Sequence, residues 1–121
     1  NRSMGAGTPP YMSPEMFLEP SKASYPSDLW SLGVTLFEVV TKQLPFHSDS
    51  DLMWSAVIAG DLDASPPSVL DRLDDSRRSR FDNKLAQVIT TALEKRVEKR
   101  FKTADEMHEA VYGCLVDRGE A

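Results

Sequence analysis

The sequence predicts a mainly α fold arranged around one buried central helix, and three observations carry that prediction. Apolar residues recur at helical spacing in several separate segments, and no run of alternating apolar and polar residues marks a strand. One segment, Leu29 to Val40, is apolar around most of a helix circumference, so it has to be surrounded by other elements. A chain of 121 residues that is 40% hydrophobic can bury a core, and a single domain over residues 1–121 is expected.

Taken in order, residues 1–12 are irregular, because Gly5, Gly7, Pro9 and Pro10 supply loop geometry and withhold backbone donors. A short helix begins at Ser13, which can cap it. Pro14 suits the first helical position, Glu15 sits well against the positive helix end, and Pro20 ends the element. The central helix runs over 27–42, and Gln43-Leu44-Pro45-Phe46 breaks it. A surface helix follows over 50–60, capped from Ser48-Asp49-Ser50, carrying Leu52, Met53, Ala56 and Val57 on one face and stopped by Gly60. Residues 61–80 are rich in Asp, Ser, Pro and Arg and read as a long surface connection in which Val69, Leu70 and Leu73 can make one local apolar contact. The final helices occupy 82–115. Phe81, Leu85, Val88, Ile89, Ala92 and Leu93 form the apolar face of the first, while Thr103-Ala104-Asp105-Glu106 is a capping box for the last, with Met107, Ala110, Val111 and Leu115 on one face.

Composition narrows the function classes. With 14 Lys and Arg against 19 Asp and Glu the net charge is −5, which disfavours nucleic acid or an anionic membrane as partner. The longest apolar segment falls well short of the ~20 residues needed to cross a bilayer. Cys114 is the sole cysteine, so no internal disulfide or cysteine-based zinc site can form, and His47 and His108 have no partners at metal-ligand spacing. A reducing, intracellular setting is compatible with this, and the cytoplasm is the expected compartment. Asn1 is not followed by a charged-then-apolar segment, so no secretory signal is expected and the chain reads as part of a longer one.

Three ordered islands carry a family resemblance. Gly7-Thr8-Pro9-Pro10-Tyr11-Met12-Ser13-Pro14-Glu15 resembles the end of a protein kinase activation segment, with Ser13-Pro14-Glu15 standing for its Ala-Pro-Glu motif. Asp28-Leu29-Trp30-Ser31-Leu32-Gly33 resembles the start of the central helix of the kinase C-lobe, and Arg100 stands where the family places the Arg that pairs with the motif Glu. The chain is thus similar to the helical second half of a eukaryotic-type serine/threonine kinase C-lobe: activation-segment end and short helix in 1–20, then the central helix, surface helix, loop and final helices. No Gly-rich loop, nucleotide-binding Lys, catalytic-loop Asp or Asp-Phe-Gly accompanies these islands. The resemblance implies a parent that transfers the γ-phosphoryl group of ATP, with Mg, to protein substrates. These residues alone are expected to bind neither cofactor and to be inactive.

The resemblance also assigns roles. Thr8 would bond the catalytic Asp and a neighbouring Lys, a task that suits a hydroxyl because it donates and accepts at once. Pro10, Tyr11 and Met12 would shape the pocket for the substrate residue after the phosphoacceptor, and the Gly-Thr-x-x-Tyr form favours Ser/Thr acceptors. Glu15 and Arg100 would pair as an anchor; the bland alternative is two surface charges that never meet. Asp28 would accept backbone bonds from the catalytic loop, or simply complement the helix dipole. Trp30 is core packing. Ser3 is a candidate activation-loop phosphosite, against the plain reading of an exposed loop serine. Arg77-Arg78-Ser79 could serve another kinase, although short basic-Ser runs arise by chance. Met53 and Trp54 could dock substrates or partners, with core packing expected for at least Met53. Arg96-Val97 departs from the family's Asp-Pro. A non-catalytic, kinase-derived binding module or pseudokinase remnant is the alternative, and an apolar central helix without its neighbours should leave apolar surface exposed.

Overall fold

The computed structural model describes residues 9–19, 21, 25–50 and 53–117. Its α-helices are α1 (Pro14–Leu18), α2 (Tyr25–Thr41), α3 (Trp54–Ala59), α4 (Asp75–Arg78), α5 (Asn83–Ala92) and α6 (Ala104–Asp117). Single 3-10 turns occupy Pro9–Tyr11, Leu70–Arg72 and Val97–Lys99, and no strand occurs among the described residues. None of the described helices is long and apolar enough to cross a membrane.

Helix α2 organises the domain. Its Trp30, Val34 and Phe37 are fully buried with Ile58 of α3, Ile89 of α5 and the adjoining Leu93. A second cluster joins Leu29 to Val88, Ala92, Met107 and Cys114, wedging α2 between α5 and α6. Gly33 permits this approach: a Cβ there would lie 2.7 Å from Ala92 Cβ, closer than two carbons can sit. The helix is not covered all round, however. Leu32 and Val39 remain 45% and 61% exposed, and Leu29, Leu32, Leu36, Met107 and Val111 line an open apolar groove of about 290 Å³.

Several local expectations are revised. Ser13 takes the extended N-cap backbone conformation, but its hydroxyl makes no capping bond and is buried with no partner among the described residues; Pro14 and Glu15 occupy the first turn of α1 as expected. The surface helix begins at Trp54, later than expected, because the Ser48 hydroxyl closes a local turn on Ser50 O at 2.6 Å and Met53 offers no capping side chain. The connection over 61–80 contains a helical turn, α4, capped by Asp74, which accepts from Arg77 N at 2.8 Å. Its Val69 and Leu73 enter the main core at 1% and 4% exposure, well beyond a local contact. Arg72 holds this strap in place by donating to Leu44 O and Pro45 O, each at 3.3 Å, with its guanidinium over the Phe37 ring. Half of the capping box of α6 forms as expected, Glu106 N donating to Thr103 Oγ1 at 3.1 Å, while the Glu106 carboxylate receives Lys102 N at 3.0 Å, one residue before the cap.

Candidate functional site

The site is assembled from three stretches far apart in sequence. Pro14, at the first helical position, sets α1 so that Glu15 points towards the start of α2 and the turn ending at Arg100. There Arg100 grips the carboxylate with two bonds, Nη1 to Oε2 at 2.9 Å and Nη2 to Oε1 at 2.5 Å. The same guanidinium donates to Pro26 O at 2.9 Å and lies 5.4 Å from the centre of the Trp30 ring. Ser27 adds a third bond to Glu15, hydroxyl to Oε2 at 2.6 Å. The Arg100 side chain is 0% exposed and that of Glu15 14%, so the pair is desolvated as well as close. One cation thereby joins α1, the head of α2 and the turn before α6.

Burial pushes the Glu15 carboxyl upward, but the hydrogen bonds from Arg100 and Ser27 together with the Arg100 charge outweigh it and hold the group below its ordinary value. A depressed folded-state value makes the carboxylate's contribution to stability fully present above the unfolded value of about 4.3. That contribution is lost as pH falls through the folded value. Thermal melts of the full-length protein between pH 7 and pH 3 should show an acid-side loss of stability that shrinks in Glu15→Gln; equal pH profiles would refute the assignment.

The turn Pro9–Tyr11 is tied to α2 twice. Ser31 Oγ donates to Tyr11 O at 2.7 Å, and the Tyr11 hydroxyl donates to Glu38 Oε1 at 2.6 Å. The bond to Glu38 raises the Tyr11 phenol above its ordinary value, with smaller contributions from burial and from the Glu38 charge. Met12 is buried, Pro10 half-buried, and Met12 N closes the turn on Pro9 O at 3.2 Å. Tyr11→Phe should therefore cost about 1 kcal/mol in a denaturant titration, because it removes one charge-assisted bond from a partly wet site. A loss below the error of the measurement would show that the bond does not hold the turn.

Of the sequence-derived site residues, the structure brings Glu15, Arg100 and Trp30 together and places Tyr11 beside them through α2. Asp28 lies in the first turn of α2 and is exposed. Thr8 and Ser3 fall outside the described residues. The expectations for this pair are corrected: Met53, expected in the core, is 50% exposed, whereas Trp54, offered with it for docking, is 6% exposed and belongs to the main core. Trp54 opens α3 on the side that meets the core around Ile58, so only Met53 remains accessible. Sequence reasoning missed Ser27, Ser31 and Glu38. Their signal was available, since a polar residue on an otherwise apolar, enclosed helix needs a partner. The Arg96 departure also finds a structural use: its guanidinium grips Asp63 at 2.6 and 3.2 Å, pulling that carboxyl below its ordinary value and tying the start of the 61–80 strap to the turn before Arg100.

Among the described residues no group of three His, Cys, Asp or Glu side chains could hold a metal ion, and the sequence has no Gly-rich loop to cradle phosphates. What the arrangement does is tie the Pro9–Tyr11 turn to α2 through Ser31 and Glu38.

Comparison with known proteins agrees with this architecture. The protein kinase domain family matches residues 1–112. The chain is 35% identical over 112 residues to the MAP kinase kinase mkk-4 of Caenorhabditis elegans, covering 91% of this chain and 26% of that protein. It is 32% identical over 100 residues to the dual specificity mitogen-activated protein kinase kinase jkk-1 of the same organism, covering 81% and 22%. With serine/threonine-protein kinase D of Synechocystis it shares 29% over 118 residues, covering 98% and 20%. A helical domain with this ion pair and these relatives defines the class as a protein kinase domain, and the chain belongs to the protein kinase domain family. It spans about a fifth to a quarter of the length of these relatives.

Proposed function

We propose that these residues form the substrate platform and lobe core of a serine/threonine protein kinase that moves the γ-phosphoryl group of ATP, with Mg, to protein Ser/Thr hydroxyls. The observation that supports this reading is the double attachment of Tyr11 to α2, at Ser31 and Glu38, in the stretch that leads into the Glu15–Arg100 pair. In this reading Pro10, Tyr11 and Met12 shape the pocket for the residue after the phosphoacceptor. Thr8 bonds the catalytic loop, and Asp28, exposed in the first turn of α2, orients that loop. Glu15, Arg100 and Trp30 anchor the platform, and Ser3 is the activating phosphosite. Protein substrates can dock on Met53. The cytoplasm suits a chain whose one cysteine is a buried free thiol.

Residues 1–121 by themselves should not transfer phosphate, because the Lys, Asp and metal ligands that phosphoryl transfer requires are not among them. The test is a peptide-array assay of the full-length protein with Ser, Thr or Tyr as the only acceptor. Phosphorylation of the Ser and Thr peptides is expected, falling about 10²-fold or more in Thr8→Ala if the hydroxyl positions substrate. Transfer to Tyr alone would overturn the acceptor class. No transfer under activating conditions would favour the non-catalytic binding module.

A further inference from the structure

The basic run at the end of the strap has a geometry the sequence does not disclose. In α4, Arg77 pairs with Asp74 at 3.4 Å and Arg78 lies 3.9 Å from Asp75. Arg80 instead folds back over Ser76. Its Nε donates to Ser76 O and its Nη2 to Ser76 Oγ, each at 3.3 Å, so both bonds go to neutral oxygens. Ser76 and Ser79 are both exposed, but they are not equivalent. The Ser79 hydroxyl already donates to Ser76 O at 3.1 Å and stands at the C-terminal end of α4, where added negative charge would oppose the helix carbonyls.

We propose that Ser76 is a phosphoacceptor for a second protein kinase and that Arg80 receives the resulting phosphate, latching α4. The transfer forms a bond between Ser76 Oγ and the γ-phosphorus of a nucleoside triphosphate held by that second kinase. The bond from that phosphorus to the nucleoside diphosphate breaks, and the serine proton passes to a base of the second enzyme. Phosphate oxygens on Ser76 would replace a neutral hydroxyl facing Arg80 with a dianion, converting a weak contact into charge-assisted bonds. Of the neighbouring carboxylates, Asp74 pairs with Arg77 at 3.4 Å and accepts from Arg77 N, while Asp75 is fully exposed 3.9 Å from Arg78, so that solvent and salt screen its repulsion of the phosphate. A single helical turn opens easily, so the serine can enter another enzyme's cleft in extended form. Once latched, α4 would stiffen the strap whose Leu73 and Phe81 flank it and pack on the main core.

Two measurements on the full-length protein decide this. Mass spectrometry of protein isolated from its own cells, grown resting and stressed, should find phosphate on Ser76; a consistently unmodified Ser76 overturns the proposal. Phosphorus NMR titration of protein carrying phosphoserine at 76 should place the second phosphate ionisation roughly 0.2–0.7 unit lower than in the same protein with Arg80→Gln. Identical titrations would overturn Arg80 as the receiver.

Discussion

Arg100→Ala in the complete kinase domain is expected to destabilise it by about 3–5 kcal/mol, because it leaves the Glu15 carboxylate desolvated and without its cation. The size of the effect follows from geometry. The guanidinium is fully buried, makes two bonds to Glu15 and one to Pro26 O, and covers the Trp30 ring. Removing it leaves a buried charge, an unfilled backbone acceptor and a gap against the largest core side chain. Arg100→Lys should recover only part of the loss, since one ammonium cannot match both carboxylate oxygens. A double-mutant cycle with Glu15→Ala separates the pair from the packing: the double mutant should cost less than the sum of the singles. Denaturant titration provides the readout, and an Arg100→Ala loss under about 1 kcal/mol, the range of exposed ion pairs, would show that the pair is not an anchor.

Gly33→Val is the second large effect expected. A Cβ at position 33 meets Ala92 Cβ at 2.7 Å and Leu93 Cδ2 at 3.4 Å, and both Ala92 and Leu93 are fully buried. Ala92 Cβ cannot rotate away, so α2 and α5 must separate along a shared core. Overpacking of this kind costs roughly 1–3 kcal/mol, with valine at the upper end because its branch adds two methyl groups. Gly33→Ala gains up to about 1 kcal/mol of helix propensity, which partly offsets its smaller clash. The exchange Gly33→Ala with Ala92→Gly moves the missing methyl to the other helix and should melt closer to the parent than Gly33→Val. If the valine variant melts like the parent, the helices do not approach as closely as described.

Much of the site could be read from residue type and spacing. Glu15 just inside a Pro-started helix and Arg100 after Leu93-Glu94-Lys95 were recognisable by motif, and the structure brings them into contact. Thr103 acts where its residue type says it should, accepting from Glu106 N at the start of α6, and Asp82 likewise caps α5 by accepting from Lys84 N and Leu85 N. The exceptions share a cause. Trp54 and Met53 are adjacent and both apolar, and only the direction in which α3 meets the core determines that Trp54 is buried and Met53 is not. Val69 and Leu73 sit in a polar, Pro-containing stretch without helical periodicity, yet the strap carries them over the end of α2 into the main core. Ser13 has the right residue type for a side-chain cap, but burial turned its hydroxyl from the helix end.

The sequence by itself determined the helical class, the order of the longer helices, the enclosed character of most of α2 and the family to which the chain belongs. Those features depend on periodicity, caps and short motifs, whose physics extends over one or two helical turns. Tertiary structure alone decided that Tyr11 is held by Ser31 and Glu38, that Arg96 reaches Asp63, and that Arg80 rather than the neighbouring arginines faces Ser76. Each is a choice among several chemically suitable partners. Hydrogen bonds and ion pairs act only within a few ångströms, so the partner is set by how the packed helices place the side chains.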